Sequence, residues 1–243
     1  MDDREMTIAE HLEELRRRLA VMLAAVAVAF GAGFFYARPV VDWLVARSPL
    51  GRVVVTGVTE AFYGLIKVDV VMALVASSPV ILYEIAAFVF PGLTEAEKRL
   101  VRWVAVPGLL LFLGGMAFGF FVFVPVVLHV MLAFTGQRIV PLWTLNSYLS
   151  FLIVLTVPFG VVVEMPLVTG VLAALGILEP KVLARYRRWA VLVAFLIAAI
   201  LAPPDALSML LMALPIYAVY ELSYLVARLM FRPALGEPEW LED

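Results

Sequence analysis

One glutamate lies inside a long apolar stretch of the sequence. Between residues 147 and 178, Glu164 is the only charged side chain, and Pro166 follows it closely. A carboxylate near the middle of a membrane-spanning helix costs roughly 2.5–3.5 kcal/mol on the more lenient insertion scale. Pro166 removes an amide donor, so carbonyl groups near Glu164 need other partners. The pattern favours a functional Glu164 that faces a polar concavity. The alternative is a hydrogen-bonded glutamate that fixes helix packing.

A second acidic residue follows a pair of prolines. Asp205 comes after Pro203 and Pro204, at the start of an apolar run. Aspartate is a favoured N-cap because its side chain accepts a hydrogen bond from an amide in the first helical turn. Two roles are therefore open for Asp205, capping the last helix or taking part in function.

Composition defines the environment of these carboxylates. The chain has 243 residues, of which 64% are hydrophobic, and this indicates a polytopic membrane protein. A net charge of −2 gives no reason to expect nucleic acid as a partner. The chain has no cysteine, and His11 and His129 are far apart, so we expect neither a metal site nor a cofactor. No phosphate-binding G-x-x-x-x-G-K-[ST] pattern is present, so we do not expect nucleotide hydrolysis.

The apolar segments predict an all-α polytopic membrane protein with six transmembrane helices, the last two of them short. The third segment is too long for one perpendicular helix, which predicts a bend at Pro125. The last two segments are shorter than the roughly 20 residues that a 30 Å hydrocarbon core requires. The predicted spans cover residues 19–36, 62–83, 103–134, 147–167, 189–202 and 206–220.

Prolines and charges set the expected limits of the early segments. Arg38 and Pro39 are expected to end the first span. Residues 37–61 are expected to form an ordered loop containing a short amphipathic helix on the membrane surface, with apolar residues at helical spacing (Val40, Val41, Leu44 and Val45). Lys67 and Asp69, near the beginning of the second span, are expected at the interface.

The whole chain, residues 1–243, is predicted to form one integral membrane domain. It divides into a polar, amphipathic N-terminal segment (1–18), a six-helix core (19–225) and a tail (226–243). Residues 84–102 are expected to form a polar connection, and no cleavable signal peptide is expected. In this topology 13 of the 18 lysine and arginine residues fall on one side. The positive-inside rule then places both termini in the cytoplasm.

Several short segments, in order along the chain, resemble the TatC family, the polytopic core subunit of the twin-arginine protein translocase. Each segment alone has low specificity, but the ordered set is specific and runs from about residue 8 to 225. The segments are HLEELR at 11–16, SPVILY at 78–83, Phe88 with Pro91, EKR at 97–99, FG at 159–160 with EMP at 164–166, PPD at 203–205, and Pro215 with Glu221.

The resemblance implies a non-enzymatic receptor that recognises folded proteins carrying an Arg-Arg signal peptide. It implies a concave bundle in a bacterial or archaeal cytoplasmic membrane, single-span partner subunits, assembly of several copies within a larger complex, and transport driven by the proton-motive force. It also implies roles for particular residues. The signal-binding positions are Glu14, Glu97, Arg16 and Phe88; Glu164 is the intramembrane polar position, and Asp205 is the acidic residue of the far-side turn.

Simpler interpretations of the two cytoplasmic carboxylates are also possible. Carboxylates suit guanidinium groups because the planar fork makes bidentate, charge-assisted hydrogen bonds. However, Glu14 precedes Arg18 by four residues, the spacing of an ordinary ion pair on a helix surface. Glu97 follows Thr94 by three residues, the spacing of a capping box.

Two other functions are alternatives to the receptor. A proton-coupled small-solute transporter would use Glu164 as its proton site, but such proteins often contain internal repeats, and the two halves of this chain show no convincing repeat. An intramembrane serine protease is disfavoured because the chain has no G-x-S-x-G nucleophile turn.

Overall fold

The computed structural model describes residues 8–48, 53–89, 95–134, 142–202 and 205–231. This part of the chain is helical almost throughout, as predicted. In chain order the elements are α1 (Ile8–Ala46), β1 (Val53–Val54), α2 (Val58–Val89), α3 (Glu95–Phe118), a π-helical turn (Gly119–Phe123), α4 (Val124–Ala133), β2 (Trp143–Thr144), α5 (Leu145–Val163), α6 (Met165–Ala174), α7 (Pro180–Arg185), α8 (Arg187–Leu201) and α9 (Ala206–Met230).

Five stretches of the described chain are long and apolar enough to cross a membrane. They are Ala9–Ala46, Thr59–Phe88, Val106–Ala133, Leu145–Ala174 and Ala206–Met230. The remaining predicted span corresponds to α8, which has 15 residues and a length of roughly 22 Å, less than the ~30 Å of a hydrocarbon core. The prediction that this segment is short is confirmed, and a total of six spans stays a prediction.

The prediction that the last helix is also short is wrong. α9 has 25 residues and continues past Tyr220 and Glu221 to Met230. The Glu221 carboxylate accepts hydrogen bonds from Arg187 Nη2 at 2.8 Å and from the Tyr217 hydroxyl at 2.7 Å. The predicted span stops at residue 220, where the apolar run ends, but the helix continues because the charge of Glu221 is paired.

Pro39 does not end the first helix, contrary to the prediction. α1 is a single helix of 39 residues that contains Pro39. The amphipathic segment after the proline belongs to the same helix and lies in the protein core, not in a surface loop. Ala37 and Val41 are buried, and Val40, Leu44 and Val45 pack with the main core cluster. Burial of this apolar face stabilises the helix beyond the proline.

α1 and α2 pack against each other along their length in antiparallel orientation. Three contacts define the alignment: His11 with Phe88, Arg18 with Glu84, and Gly33 with Asp69. Residues near the start of α1 therefore lie beside the end of α2. The predicted polar connection at residues 84–102 is shorter than expected, because α2 extends to Val89 and α3 begins at Glu95.

Asp69 is fully buried, which differs from its expected place at the membrane interface. Its carboxylate lies directly against Gly33 of α1, where a Cβ atom would overlap Oδ1. Neither carboxylate oxygen has a hydrogen-bond partner among the described residues. Lys67 is only partly buried and donates hydrogen bonds to Asn146 Oδ1 at 2.6 Å and Ser150 Oγ at 2.8 Å.

Glycines allow α3 and α5 to cross at close range. Gly115 and Gly119 are four residues apart, the small-xxx-small spacing of closely packed membrane helices. A Cβ atom at Gly115 would lie 2.5 Å from the Phe159 carbonyl oxygen, and one at Gly119 would lie 3.0 Å from Thr156 Cα. The π-helical turn begins at Gly119 and runs into Pro125 near the start of α4, so the helix is irregular where the sequence predicted a bend.

A short parallel strand pair joins two connections at the end of the bundle away from residue 11. β1 and β2 pair Val53 with Trp143 and Val54 with Thr144. The strands are the one departure from an all-α fold in the part of the chain that the structure describes. Glu60 supports them by accepting hydrogen bonds from the Thr56 hydroxyl at 2.6 Å and from the backbone N–H of Asn146 at 3.0 Å.

Candidate functional site

Two carboxylates enclose one guanidinium where the start of α1 meets the end of α2. Arg18 Nε and Nη2 lie 3.0 Å and 2.5 Å from Glu14 Oε1, and Nη1 lies 2.9 Å from Glu84 Oε2. The ion pair predicted from the spacing of Glu14 and Arg18 is therefore present. Glu84 is not among the predicted site residues, because the sequence predicts a polar connection over residues 84–102. In an antiparallel helix pair, a residue further along one helix meets a residue earlier on the other. Once α1 and α2 are recognised as such a pair, this alignment places Glu84 opposite Arg18.

An aromatic stack continues the same contact towards the start of α1. The rings of His11 and Phe88 are stacked, with centroids 4.4 Å apart and planes inclined by 23°. Phe88 lies four residues after Glu84 and so occupies the same face of α2. His11, Glu14 and Arg18 likewise recur at helical spacing on α1. Phe88 and Glu14, two predicted signal-binding residues, thus lie on one continuous surface at one end of the molecule.

Arg16 lies on a different, solvated part of the same helix. Its side chain is 83% exposed, and its Nη2 is 3.7 Å from Glu13 Oε1, which is also largely exposed. An exposed pair at this distance contributes little to stability. Arg16 is therefore available to contact a ligand but is not part of the Glu14–Arg18–Glu84 cluster.

Glu97 lies in the first turn of α3, which begins at Glu95. Its side chain lies outside the described part of the structure, and so does Thr94, its predicted capping partner. The helix start agrees with the position that the capping pattern indicated.

Glu164 lies at the junction of α5 and α6. It is the C-cap residue of α5, and α6 continues the same stretch for a further 10 residues, so Glu164 is not near the end of the span as the sequence suggested. Pro166 in the first turn of α6 accounts for the interruption. The carboxylate faces Gly108 of α3, where a Cβ atom would lie 3.5 Å from Oε2. Oε1 is buried and has no hydrogen-bond partner within the described ranges.

An apolar cleft runs between α1, α2, α3 and α5. It consists of two cavities of about 280 Å³ and 170 Å³ that share the lining residues Val71, Met116 and Val157. The smaller cavity reaches Ile81 and Leu82, within one helical turn of Glu84. Its other lining residues are Leu74, Val75, Ser78, Phe112 and Val161. The cleft therefore begins close to the charged cluster and extends along the apolar part of the bundle.

Glu164 lies beside this cleft. Phe112 and Val161 line the smaller cavity, and Glu164 is one turn beyond Val161 on the same helical stretch. Gly108, against which Glu164 packs, is one turn before Phe112. An uncompensated carboxylate oxygen at this depth can accept a hydrogen bond from a polar group brought in by another helix.

Asp205 is the N-cap residue of α9, which is the first of the two roles predicted for it. Its Oδ1 accepts a hydrogen bond from the Ser208 amide at 2.7 Å. Oδ2 is buried and has no partner in the described chain. Pro203 and Pro204 lie outside the described residues. Within the described ranges, no group of three or more histidine, aspartate or glutamate side chains could bind a metal ion.

Comparison with known proteins gives a consistent set of similarities. A family model described as Sec-independent protein translocase protein (TatC) matches residues 10–215. TatCy of Bacillus subtilis (strain 168) is 34% identical over 233 residues, which cover 95% of this chain and 92% of that protein. TatC of Carboxydothermus hydrogenoformans is 35% identical over 235 residues, covering 94% and 95%. A crystal structure of the twin-arginine translocase receptor TatC matches with a TM-score of 0.84 at 35% identity, covering 92% of this chain and 100% of that one.

Proposed function

Because the chain belongs to the TatC family of Sec-independent protein translocase proteins, we propose that it is the core and receptor subunit of a twin-arginine translocase. In this role it binds the Arg-Arg signal peptides of folded precursor proteins, and it assembles with single-span partner subunits and further copies of itself. Transport through the assembled complex is driven by the proton-motive force. The protein lies in a bacterial or archaeal cytoplasmic membrane with both termini in the cytoplasm.

The observation that carries this proposal is the enclosure of a guanidinium by Glu14 and Glu84. An arginine of a signal peptide presents the same planar fork as Arg18 and is recognised by the same charge-assisted hydrogen bonds. Glu97, at the start of the next helix, is proposed to bind the second arginine. Arg16 and Phe88 contact the rest of the cytoplasmic segment of the signal.

The apolar cleft supplies the second half of the recognition site. A signal peptide with a hydrophobic segment after its arginines would continue from the Glu84 end of the cleft towards Val71 and Met116. Transfer of apolar side chains into such a cleft contributes roughly 25 cal/mol per Å² of buried surface. Electrostatic recognition at one end and apolar contact along the cleft together select a cationic peptide that is followed by a hydrophobic run.

Glu164 is proposed to bind a partner helix, not the signal arginines. Its buried, uncompensated oxygen beside the cleft favours a polar side chain or an ordered water molecule introduced by a single-span subunit. No covalent chemistry is required of it. Asp205 is proposed to act mainly through its cap on α9. The alternative, a small-solute transporter based on Glu164, is not favoured by the family to which the chain belongs.

The proposal is tested by peptide binding to the purified, detergent-solubilised protein. A labelled Arg-Arg signal peptide should bind the variant carrying Glu14→Gln and Glu97→Gln at least about 100-fold more weakly, because two charge-assisted pairs of about 1.5–3 kcal/mol each are lost and every 1.4 kcal/mol is tenfold in affinity. Glu13→Gln is the matched control, since the largely exposed Glu13 has the same charge and is next to Glu14. A Lys-Lys peptide should change less. Equal affinity of the double variant and the wild type would contradict the proposal.

A further inference from the structure

We propose that Arg18 is a built-in occupant of the signal-arginine site, which an incoming arginine displaces, and that Glu84 is the second carboxylate of that site. The inference rests on the proposed function and adds a regulatory step to it. In the absence of a ligand, Arg18 itself pairs with the carboxylates of Glu14 and Glu84. A ligand is bound only when it offers a guanidinium able to replace that of Arg18.

The geometry shows a guanidinium bound as a ligand would be bound. Arg18 uses three nitrogens, Nε and Nη2 towards Glu14 and Nη1 towards Glu84, at distances from 2.5 to 3.0 Å. The three side chains are sheltered, with 21% of Arg18, 17% of Glu14 and 14% of Glu84 exposed. An ordinary surface ion pair joins one cation to one anion, whereas here the fork spans two helices.

The charges of the cluster favour replacement of the Arg18 guanidinium by the guanidinium of a peptide. Two carboxylates and one guanidinium leave the cluster with one net negative charge. Glu14 Oε2 is buried and has no hydrogen-bond partner among the described residues, so a spare acceptor is present. A cationic peptide is attracted by this excess charge, and its guanidinium can take over the bonds of Arg18 without leaving a carboxylate unpaired.

A displaced Arg18 side chain can move from the two carboxylates into water. The neighbouring Arg16 and Arg17 are exposed, so no group in the described part of the chain covers this turn of α1, and the charges of three consecutive arginines favour water over lipid there. A released Arg18 side chain can therefore be hydrated by rotation about its own bonds while the α1–α2 packing is kept by the His11–Phe88 stack. A lysine in the signal cannot reproduce the exchange, because a single ammonium does not match both carboxylates through a planar fork.

A competing explanation is that Arg18 is only a clamp between α1 and α2. Both explanations predict some loss of stability when Arg18 is removed. They differ in the sign of the effect on peptide binding. Removal of an occupant strengthens binding of the Arg-Arg peptide, whereas removal of a clamp leaves binding unchanged or weakens it by disordering Glu14 and Glu84.

The experiment measures the affinity of a labelled Arg-Arg signal peptide for the full-length protein in detergent. Arg18→Gln should bind about fivefold more tightly than Arg17→Gln, a factor that corresponds to about 1 kcal/mol. Arg17→Gln is the matched control because it removes the same charge from an adjacent, exposed position. The gain should be absent with a Lys-Lys peptide. Glu84→Gln should weaken Arg-Arg binding, as Glu14→Gln does.

Each result has a defined meaning. If Arg18→Gln binds no more tightly than Arg17→Gln while Glu14→Gln weakens binding, Arg18 is a clamp and the inference fails, but the receptor function stands. If Glu14→Gln, Glu84→Gln and the Glu14/Glu97 double variant all bind like the wild type, the receptor function itself fails. Should Arg18→Gln not fold, Arg18→Lys replaces it. Lysine keeps the charge but loses the fork, so tighter Arg-Arg binding than in the wild type is again expected, and unchanged or weaker binding overturns the inference.

Discussion

The crossing of α3 and α5 gives a prediction whose magnitude follows from the structure. In Gly115→Ala the new methyl group would lie 2.5 Å from the Phe159 carbonyl oxygen and 3.0 Å from Val163 Cβ, so the α5 backbone must move. Overpacking of this kind costs about 1–3 kcal/mol. Gly114→Ala is an internal control, because nothing lies within 4 Å of its added Cβ.

Both substitutions gain the same intrinsic helix preference of alanine over glycine, about 1 kcal/mol in a soluble helix. The difference between the two variants therefore isolates the helix contact, and we expect Gly115→Ala to be less stable than Gly114→Ala by about 1–3 kcal/mol. The free energy of unfolding, measured by denaturant titration in mixed micelles, provides the comparison. Equal stability of the two variants would refute the close approach of α3 to Phe159, and with it the placement of Glu164 beside Gly108.

Three further substitutions test individual side chains. Asp205→Ala should destabilise the protein by about 1 kcal/mol through loss of the α9 cap, whereas Asp205→Asn should retain most of the stability; equal losses would exclude a capping role. Asp69→Asn should raise the free energy of unfolding, because the amide replaces a buried carboxylate that has no described partner; a large loss would show that the charge is needed. Glu164→Ala should weaken co-purification of single-span partner subunits more than Glu164→Gln, and unchanged co-purification and export in Glu164→Ala would remove the assigned role.

Local signals in the sequence predicted the parts of the fold that depend on local interactions. The Asp205 cap, the Glu14–Arg18 pair and the break near Glu164 each arise within a few residues along the chain, so spacing offered each of them as a possibility, although it did not decide between the cap or ion pair and a functional role. The positions of the apolar stretches were also predictable, because a membrane span requires about 20 apolar residues in sequence.

Contacts between distant segments account for the errors. Pro39 lies inside α1 because the buried residues Ala37 and Val41 flank it. α2 continues through Glu84 because Arg18, far away in sequence, compensates that carboxylate. Asp69 is buried because α1 provides a glycine opposite it. A proline or a charged residue would end an isolated helix or require exposure to water. In each of these cases, contacts with other helices offset that effect, and such contacts cannot be read from the order of residues along the chain.

In the candidate site, too, local interactions were predictable from the sequence and contacts between distant segments were not. The resemblance selects Glu14, and the structure joins it through Arg18 to Glu84, a residue that the sequence predicts in a polar connection. The antiparallel pairing of α1 with α2 brings these two carboxylates together, and no short motif contains both. Recognition of that helix pair from the sequence would have been enough to predict the cluster.

Site-specific crosslinking of an Arg-Arg precursor to the protein in membranes tests the central claim most directly. A photoreactive residue placed beside the arginines should crosslink at positions 14 and 97, and crosslinking should fall when the arginines are replaced by lysines. Position 63, which lies in the polar cluster of Glu60 and Lys67 at the opposite end of α2, is the control. Crosslinks concentrated at position 63, or unchanged by the arginine replacement, would contradict recognition of paired guanidinium groups by the carboxylates at the start of α1.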